Sequence, residues 1–489
     1  MKSSKTPTAT AGLRVDHQRW RQRLDALIDT ITPRFARRET ARNAGAFVSG
    51  VLSSLETKNC WTMAELSGHA TPDKLQHLLS RATWEADEIR DDLRAMIIDA
   101  FAEPDAVLVV DETGDVKKGT KTVGVQRQYS GTAGRIENCQ VAVYTTYTRS
   151  KGHALLDRAL YLPRSWAEDH DRRTDAGVPE DVEFATKPAL ATEMITRALD
   201  AGTPAAWDAG DEVYGSCPDL RTALQERQIG YVLAIGCNRK VDTVSGRCRV
   251  DELAAALPRR AWQRLSAGDG AKGPRWYSWA WIDTADTPAG GGYCSVLVRR
   301  NDTTGELAYY HCYSPAVVAL AELVWVAGRR WTVEESFQTG KGLTGLDQHQ
   351  VRTWTSWHRW TTLVMLAHAF LAVVTAAQRA AEQRNPSLVR LSVDEFRRLF
   401  VRRPCAHPAA VLPRLYVELV DLATTTPATR SHMPSKPQFK ASINPIYGCS
   451  TRASHRALAD QRCTATWPRR SACSRDCGHD PHGRRTRTA

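Results

Sequence analysis

Apolar positions recurring at helical spacing mark the first hundred residues: Leu24, Leu27, Ile28 and Ile31, then Leu75, Leu78 and Leu79. Thr71-Pro72-Asp73 suits a helix start with proline in the first turn. At Ala106 the pattern changes. Ala106-Val107-Leu108-Val109-Val110 is a continuous, partly β-branched run that stops at Asp111, as expected of a strand buried on both faces. Thr122 to Tyr129 and Cys139 to Tyr147 are further predicted strands, and helical spacing returns over Ala189 to Leu199 and through Leu220 and Leu224. Tyr231 to Ile235 reads as another buried strand, and Cys237 to Tyr313 as a β-rich stretch, exemplified by Cys294 to Val298. Helices resume near Ala316 and run to about Gln383. Pro386 and Pro404 mark a decline, and beyond Thr424 no element is predicted.

The predicted organisation is a helical N-terminal domain over 1–103, the first part of an α/β core over 104–236 and a β-rich insertion over 237–313. The core's helical second part covers 314–385, and a C-terminal region with a poorly ordered tail covers 386–489. No internal repeat is evident. Leu363 to Ala377, about fifteen residues interrupted by His368 and Thr375, falls short of the roughly 20 needed to span a bilayer. It predicts a buried helix, and with no apolar segment in Met1 to Gly12 the expectation is a soluble, cytoplasmic protein without membrane contact.

Composition narrows the class. At 489 residues, 42% of them hydrophobic, the chain is long enough for two or three domains and too apolar for general disorder. The net charge of +12 favours a polyanionic partner. Residues 430–489 hold twelve Lys/Arg against three acids, so the tail carries +9 and the rest of the chain only +3. The twelve cysteines lack paired spacing and predict reduced thiols. Cys473, Cys477, His479 and His482 match no standard zinc spacing, and the tail offers no element to orient ligands.

Two acids fall at predicted strand ends, Asp111 and Asp211, where sheet proteins tend to place chemistry. A third, Glu334, lies in Arg330-Trp331-Thr332-Val333-Glu334-Glu335-Ser336-Phe337-Gln338-Thr339-Gly340-Lys341. At about 100° per residue, Arg330, Glu334 and Lys341 share one helix face, with Val333 and Phe337 as an adjacent docking ridge. One carboxylate between two cations suits a site where an acid holds metal while cations hold phosphate. It equally suits a solvated face with internal ion pairs. Asp111 alone also suits a turn.

The run Val110-Asp111-Glu112-Thr113-Gly114-Asp115-Val116-Lys117-Lys118-Gly119, with Val123-Gly124-Val125 and Gln128 to Thr132, resembles the first catalytic block of DDE-type insertion-sequence transposases. Gly210-Asp211-Glu212-Val213-Tyr214-Gly215 resembles the second block. Arg330, Glu334 and Lys341 match the third at the spacing of the Tyr-Arg-Glu-Lys signature. Trp61 to Glu65, Gly268 to Arg275 and Gly345-Leu346-Asp347 are similar too, and the insertion sequence 701 family is the group resembled, from about residue 30 to about residue 400. The signature tyrosine is replaced by Ala327, with Trp325 nearby. The basic, Trp/Arg/His-rich ending expected of the family is not recognisable, and the tail after Thr424 resembles an out-of-frame reading of a GC-rich gene.

The resemblance implies an RNase H-like α/β catalytic core interrupted by a β-rich insertion. Asp111, Asp211 and Glu334 would bind two ions of Mg²⁺ or Mn²⁺, for which oxygen ligands are suited. Arg330 and Lys341 would grip phosphates. Lys117, Lys118 and Lys121 would either contact DNA or be solvated. Glu112 and Asp115 are expected to support the site or form turns, and Asp208 and Glu335 compete less well with their neighbours. Trp354, Trp357 and Trp360 suit core packing or base stacking, as do Trp276, Trp279 and Trp281. The implied activity is cut-and-paste transposition, with the helical N-terminal domain helping to bind terminal inverted repeats, target DNA as second substrate, and a dimer on DNA. An inactive or repurposed DNA-binding copy, and a nuclease of the same fold without strand transfer, are the alternatives.

Overall fold

The computed structural model describes residues 17–270, 273–286, 288, 290–384 and 391–401. The Cys/His-bearing basic tail and the region read as out of frame lie outside them.

The chain opens with α1 (His17–Ile31), α2 (Arg38–Leu52), α3 (Cys60–Leu66), α4 (Asp73–Ser80) and α5 (Ala86–Phe101). Pro72 is the residue before α4 rather than its first turn, and Asn59 caps α3 through the Trp61 and Thr62 amides. A large mixed sheet follows: β1 (Val107–Val116), β2 (Gln126–Ser130), β3 (Arg135–Arg149) and β4 (Gly152–Leu160). Then come α6 (Arg164–Ala167), α7 (His170–Ala176), α8 (Lys187–Asp200), β5 (Trp207–Gly210), α9 (Glu212–Gly215), α10 (Pro218–Glu226) and β6 (Gly230–Ile235). Among the described residues the sheet has ten strands in the order β2-β3-β1-β5-β6, then β12 (Leu307–Ser314), β11 (Tyr293–Arg300), β10 (Gly273–Asp283) and β9 (Gln263–Gly270), with β4 also on β3. Only β1–β5 and β5–β6 pair in parallel, and these strands are the apolar runs buried on both faces.

The stretch after β6 contains the small hairpin β7 (Lys240–Thr243) and β8 (Gly246–Arg249), then α11 (Val250–Ala255). Next are β9 (Gln263–Gly270), β10 (Gly273–Asp283), β11 (Tyr293–Arg300) and β12 (Leu307–Ser314). These four continue the main sheet, because β12 pairs antiparallel with β6. Val296, Val298 and Tyr309 form a second small core with Ile235, Val241, Val250 and Ala254, while Leu297, Tyr310 and Cys312 on the opposite face join the main one.

The predicted run of helix from Ala316 divides into α12 (Leu320–Arg329), α13 (Trp331–Thr344) and α14 (Trp354–Arg384), followed by α15 (Val393–Val401). Gly345 ends α13 at φ 67°, a conformation that favours glycine. By length and composition α14 is sufficient to cross a bilayer, correcting the shorter stretch expected from sequence, but 78% of its apolar window is buried inside the fold. His368 does not break it, since Thr339 accommodates the ring at 2.8 Å. Trp357 and Trp360 are core residues, with Trp360 edge-on to Phe47 of α2, so the N-terminal helices and the sheet share one continuous core.

Three strand expectations need correction. β1 does not end at Asp111 but runs five residues further, because β3 pairs with it throughout; what ends there is the parallel partner β5, which covers only Val107–Val110. Residues 122–125 are not strand, since Val123 N–H bonds to the Arg352 carbonyl and Val125 N–H closes a turn on Thr122. β4 was not anticipated, because Asp157-Arg158 interrupts its apolar run. Both are buried and paired, Asp157 to Arg197 at 2.9 Å and Arg158 to Asp87 at 2.8 Å.

Candidate active site

Alternation along β1 sorts its acids by face. Asp111 and Asp115 face α13, whereas Glu112 faces α8 and α9. The helix is docked by Val333, fully buried, and by Phe337, edge-on to Tyr144 at 5.4 Å between centroids. Tyr144 is the β3 partner of Asp111. The apolar ridge therefore sets the height of Glu334 over β1.

Arg330 lies between two of the acids: it approaches Asp111 Oδ2 at 3.6 Å and Glu334 Oε1 at 3.1 Å. Asp211 follows β5, and its side chain accepts from the Val213 amide at 2.8 Å. Burial first, then the negative charges of Asp211, Glu112 and Glu334, raise the Asp111 carboxyl well above its ordinary range, with Arg330 opposing. Burial and then Glu112 push Asp211 up to about 6. Glu112 is held by Lys187 Nζ at 2.7 Å and by the Tyr214 hydroxyl, which donates at 2.6 Å. Tyr214, two positions beyond Glu212 in the second sequence block, thus ties that block to the first.

The three acids form an all-oxygen set whose mutual repulsion a hard dication would relieve, so the donor chemistry fits divalent metal. They are not drawn tightly around a common point: no group of three or more His, Cys, Asp or Glu among the described residues is gathered closely enough to hold an ion. Arg330 supplies the compensating positive charge between Asp111 and Glu334.

Lys341 is brought to β1 as well, but to a different acid. Its Nζ donates to Asp115 Oδ1 at 3.0 Å and to the Gly114 carbonyl at 3.2 Å. His349 meets the other Asp115 oxygen at 3.3 Å, and Lys117 donates to the His349 carbonyl at 3.0 Å. Burial opposes ionisation of Asp115, yet Lys341, His349 and Lys117 outweigh it and hold the carboxyl far below the carboxylate range. Asp115 is therefore a strand residue in a buried ionic network, not a turn residue. His349 had no sequence signal beyond following Gly345-Leu346-Asp347. Lys118 is exposed, and Lys121 pairs with Asp175 at 3.5 Å.

The other candidates separate clearly. Asp208 is fully buried with neither oxygen hydrogen-bonded, and burial raises its carboxyl to about 8. Glu335 turns to His153 at 3.3 Å. Trp279 is buried, Trp281 bonds Asp283 at 2.5 Å, and Trp276 is exposed. Trp325 lies between Arg149 and Arg329, 5.5 and 4.8 Å from its ring, and Ala327 packs against the core.

Residues 30–272 match the family described as DDE superfamily endonuclease. The matched stretch takes in Asp111 and Asp211 and stops before Glu334. More particularly, the chain is 30% identical over 195 residues to the probable transposase for insertion sequence element IS701 of Microchaete diplosiphon, covering 40% of this chain. The chain spans about half the length (48%) of that curated relative. The piggyBac transposase synaptic complex with hairpin DNA aligns over 95% of this chain and 93% of its own, at 13% identity and a TM-score of 0.37.

Proposed function

We propose that this chain is a DNA transposase that cuts insertion-sequence ends and joins them to target DNA, on an RNase H-like core. The observation that carries the reading is the repelling trio of Asp111, Asp211 and Glu334 with Arg330 between two of them. These three acids would hold two divalent ions, Mg²⁺ or Mn²⁺. When bound, such ions polarise phosphoryl oxygens and ease deprotonation of the attacking hydroxyl.

The protein's own groups do the rest. Phe337 and Val333 fix the helix on the sheet, Tyr214 and Lys187 hold Glu112 behind Asp111 and Asp211, and the Val213 amide orients Asp211. Arg330 is the nearest guanidinium to the acids and presents a fork suited to a phosphodiester oxygen pair. Lys341 has a different role from phosphate contact: engaged with Asp115 and Gly114, it pins the far end of α13. Lys117 is drawn to His349, so Lys118 is the better candidate for a DNA contact from this loop.

The helices of residues 1–103 would contribute to binding terminal inverted repeats, with the core in 104–236 and 314–385 and the β-rich insertion in 237–313. A dimer on DNA would bring both ends together. The test supplies pre-cut ends and a target plasmid with Mg²⁺: joined products are expected, and cleavage without any joined product would make the chain a nuclease instead.

A further inference from the structure

We propose that Arg275, Arg299 and Arg329 form a phosphate-binding site beside the acidic trio, taking the sugar–phosphate backbone of a DNA strand that runs past the cutting site. The proposal rests on the transposase reading and adds a binding site to it.

The β9–β10 hairpin is fastened to the end of α12. A Cβ at Gly328 would lie 2.0 Å from the Ala267 carbonyl oxygen, so only glycine permits the approach. Arg275 Nη2 then donates to both the Ala267 and Gly328 carbonyls, each at 3.0 Å. The next residue but one is Arg330, which contacts Asp111 and Glu334. A rigid joint therefore places this hairpin next to the acids.

Positive charge accumulates at the joint. Nη2 of Arg275 and Nη2 of Arg329 each come within 3.8 Å of one point, the Cβ position at Gly268. Arg299 stacks on Tyr277 at 4.8 Å and, with Arg330, bears on Arg275 as a like charge. Among the described residues none of these three arginines forms an ion pair. The Nε groups of Arg275 and Arg299 are buried without a hydrogen-bond partner. The acids in reach do not compensate: Glu335 is engaged by His153, and Asp269 is exposed. Arg149, over the other side of Trp325, is already paired with Glu103 and Asp105.

Half-buried like charges with unused donors are costly unless an anion joins them. Three planar guanidiniums in a fixed array suit successive phosphodiesters better than a single small ion. The Gly268 to Arg275 sequence block thereby acquires a purpose: Gly268 leaves the space toward which Arg275 and Arg329 both reach.

The test measures binding of the full chain to a labelled duplex carrying the element end, in EDTA to prevent cutting, across a salt series. Arg299→Gln and Arg329→Gln are each expected to flatten the salt dependence by about 0.9 in log–log slope and to weaken binding roughly tenfold near 0.1 M salt. Arg329→Lys keeps the charge and is expected to retain most of the slope, which separates charge loss from a packing defect, as does an unchanged melting temperature. Unchanged affinity and slope in both glutamine variants, with a wild type that binds and cuts, overturns this site alone. A wild type that binds no duplex overturns the transposase reading with it.

Discussion

The two ends of α13 face the same strand with the same residue types, yet their electrostatics are opposite. At the first end, Arg330 and Glu334 meet Asp111 beside Asp211 and Glu112, an excess of acids that lifts Asp111 and Asp211 above their ordinary range. At the second, Lys341, His349 and Lys117 surround Asp115, and its carboxyl is driven down. Both ends hold an aspartate four residues apart on β1 with a cation from the helix. The difference lies in the balance. A compensated cluster needs nothing more, while an overcharged one would be relieved by a cation from outside.

The largest break in that comparison comes from the overcharged end. Asp111→Asn or Asp211→Asn is expected to cut strand cleavage by at least about a thousandfold, roughly 4 kcal/mol, in a gel assay of end DNA. The same change should raise metal-free stability by on the order of 1 kcal/mol in a denaturant titration, since it relieves repulsion. Protons also compete with metal there: with Asp211 at about 6, Mg²⁺ affinity should fall as pH drops through that value.

The compensated end should behave in the reverse way. Asp115→Asn strands Lys341 in a largely buried position and is expected to cost about 3–5 kcal/mol of stability by urea unfolding. Lys341→Met should cost a similar amount, and the double variant much less than the sum, because the two share one interaction. A Lys341→Met variant with full stability and weakened DNA binding would instead make Lys341 a phosphate contact.

Asp208 sharpens the contrast as a buried acid with no partner at all. Its folded value near 8 lies above that of the free side chain, 3.8, so its contribution to stability is largest at acid pH and is lost as pH rises toward 8. Asp208→Asn should remove up to about 4 kcal/mol of the wild type's loss between pH 5 and pH 8, at roughly 1.4 kcal/mol per unit. Identical pH profiles for the two proteins would show that Asp208 ionises freely. The smallest effect belongs to exposed Lys118: Lys118→Gln should weaken duplex binding only a few-fold and lower the salt slope by about 0.9, read by anisotropy.

Sequence patterning reached the apolar runs of β1 and β6 and the helix that carries Glu334, because period and abrupt polarity changes are local signals. It also identified the shared face of Arg330, Glu334 and Lys341: Arg330 and Lys341 reach β1, and Glu334 pairs with Arg330. It did not reach partners chosen by the fold. Lys341 was expected on phosphate, but the rise along α13 carries it past Glu334 to Asp115. β4 stayed hidden because Asp157 and Arg158 look solvated until Arg197 and Asp87 are placed beside them. His349 and the Arg275–Arg329 convergence come from loops and a hairpin far apart in the chain, where no periodicity reports proximity.

The central claim is that Glu334 completes a metal-dependent cutting site with Asp111 and Asp211. Its most direct test is cleavage of a supercoiled plasmid carrying the element's own ends, with Mg²⁺, by the full chain and by Glu334→Gln of equal melting temperature. End-specific cutting by the wild type and none by Glu334→Gln is the predicted result. Equal cutting by both proteins, or end binding by the wild type with no divalent-dependent cutting, would contradict it.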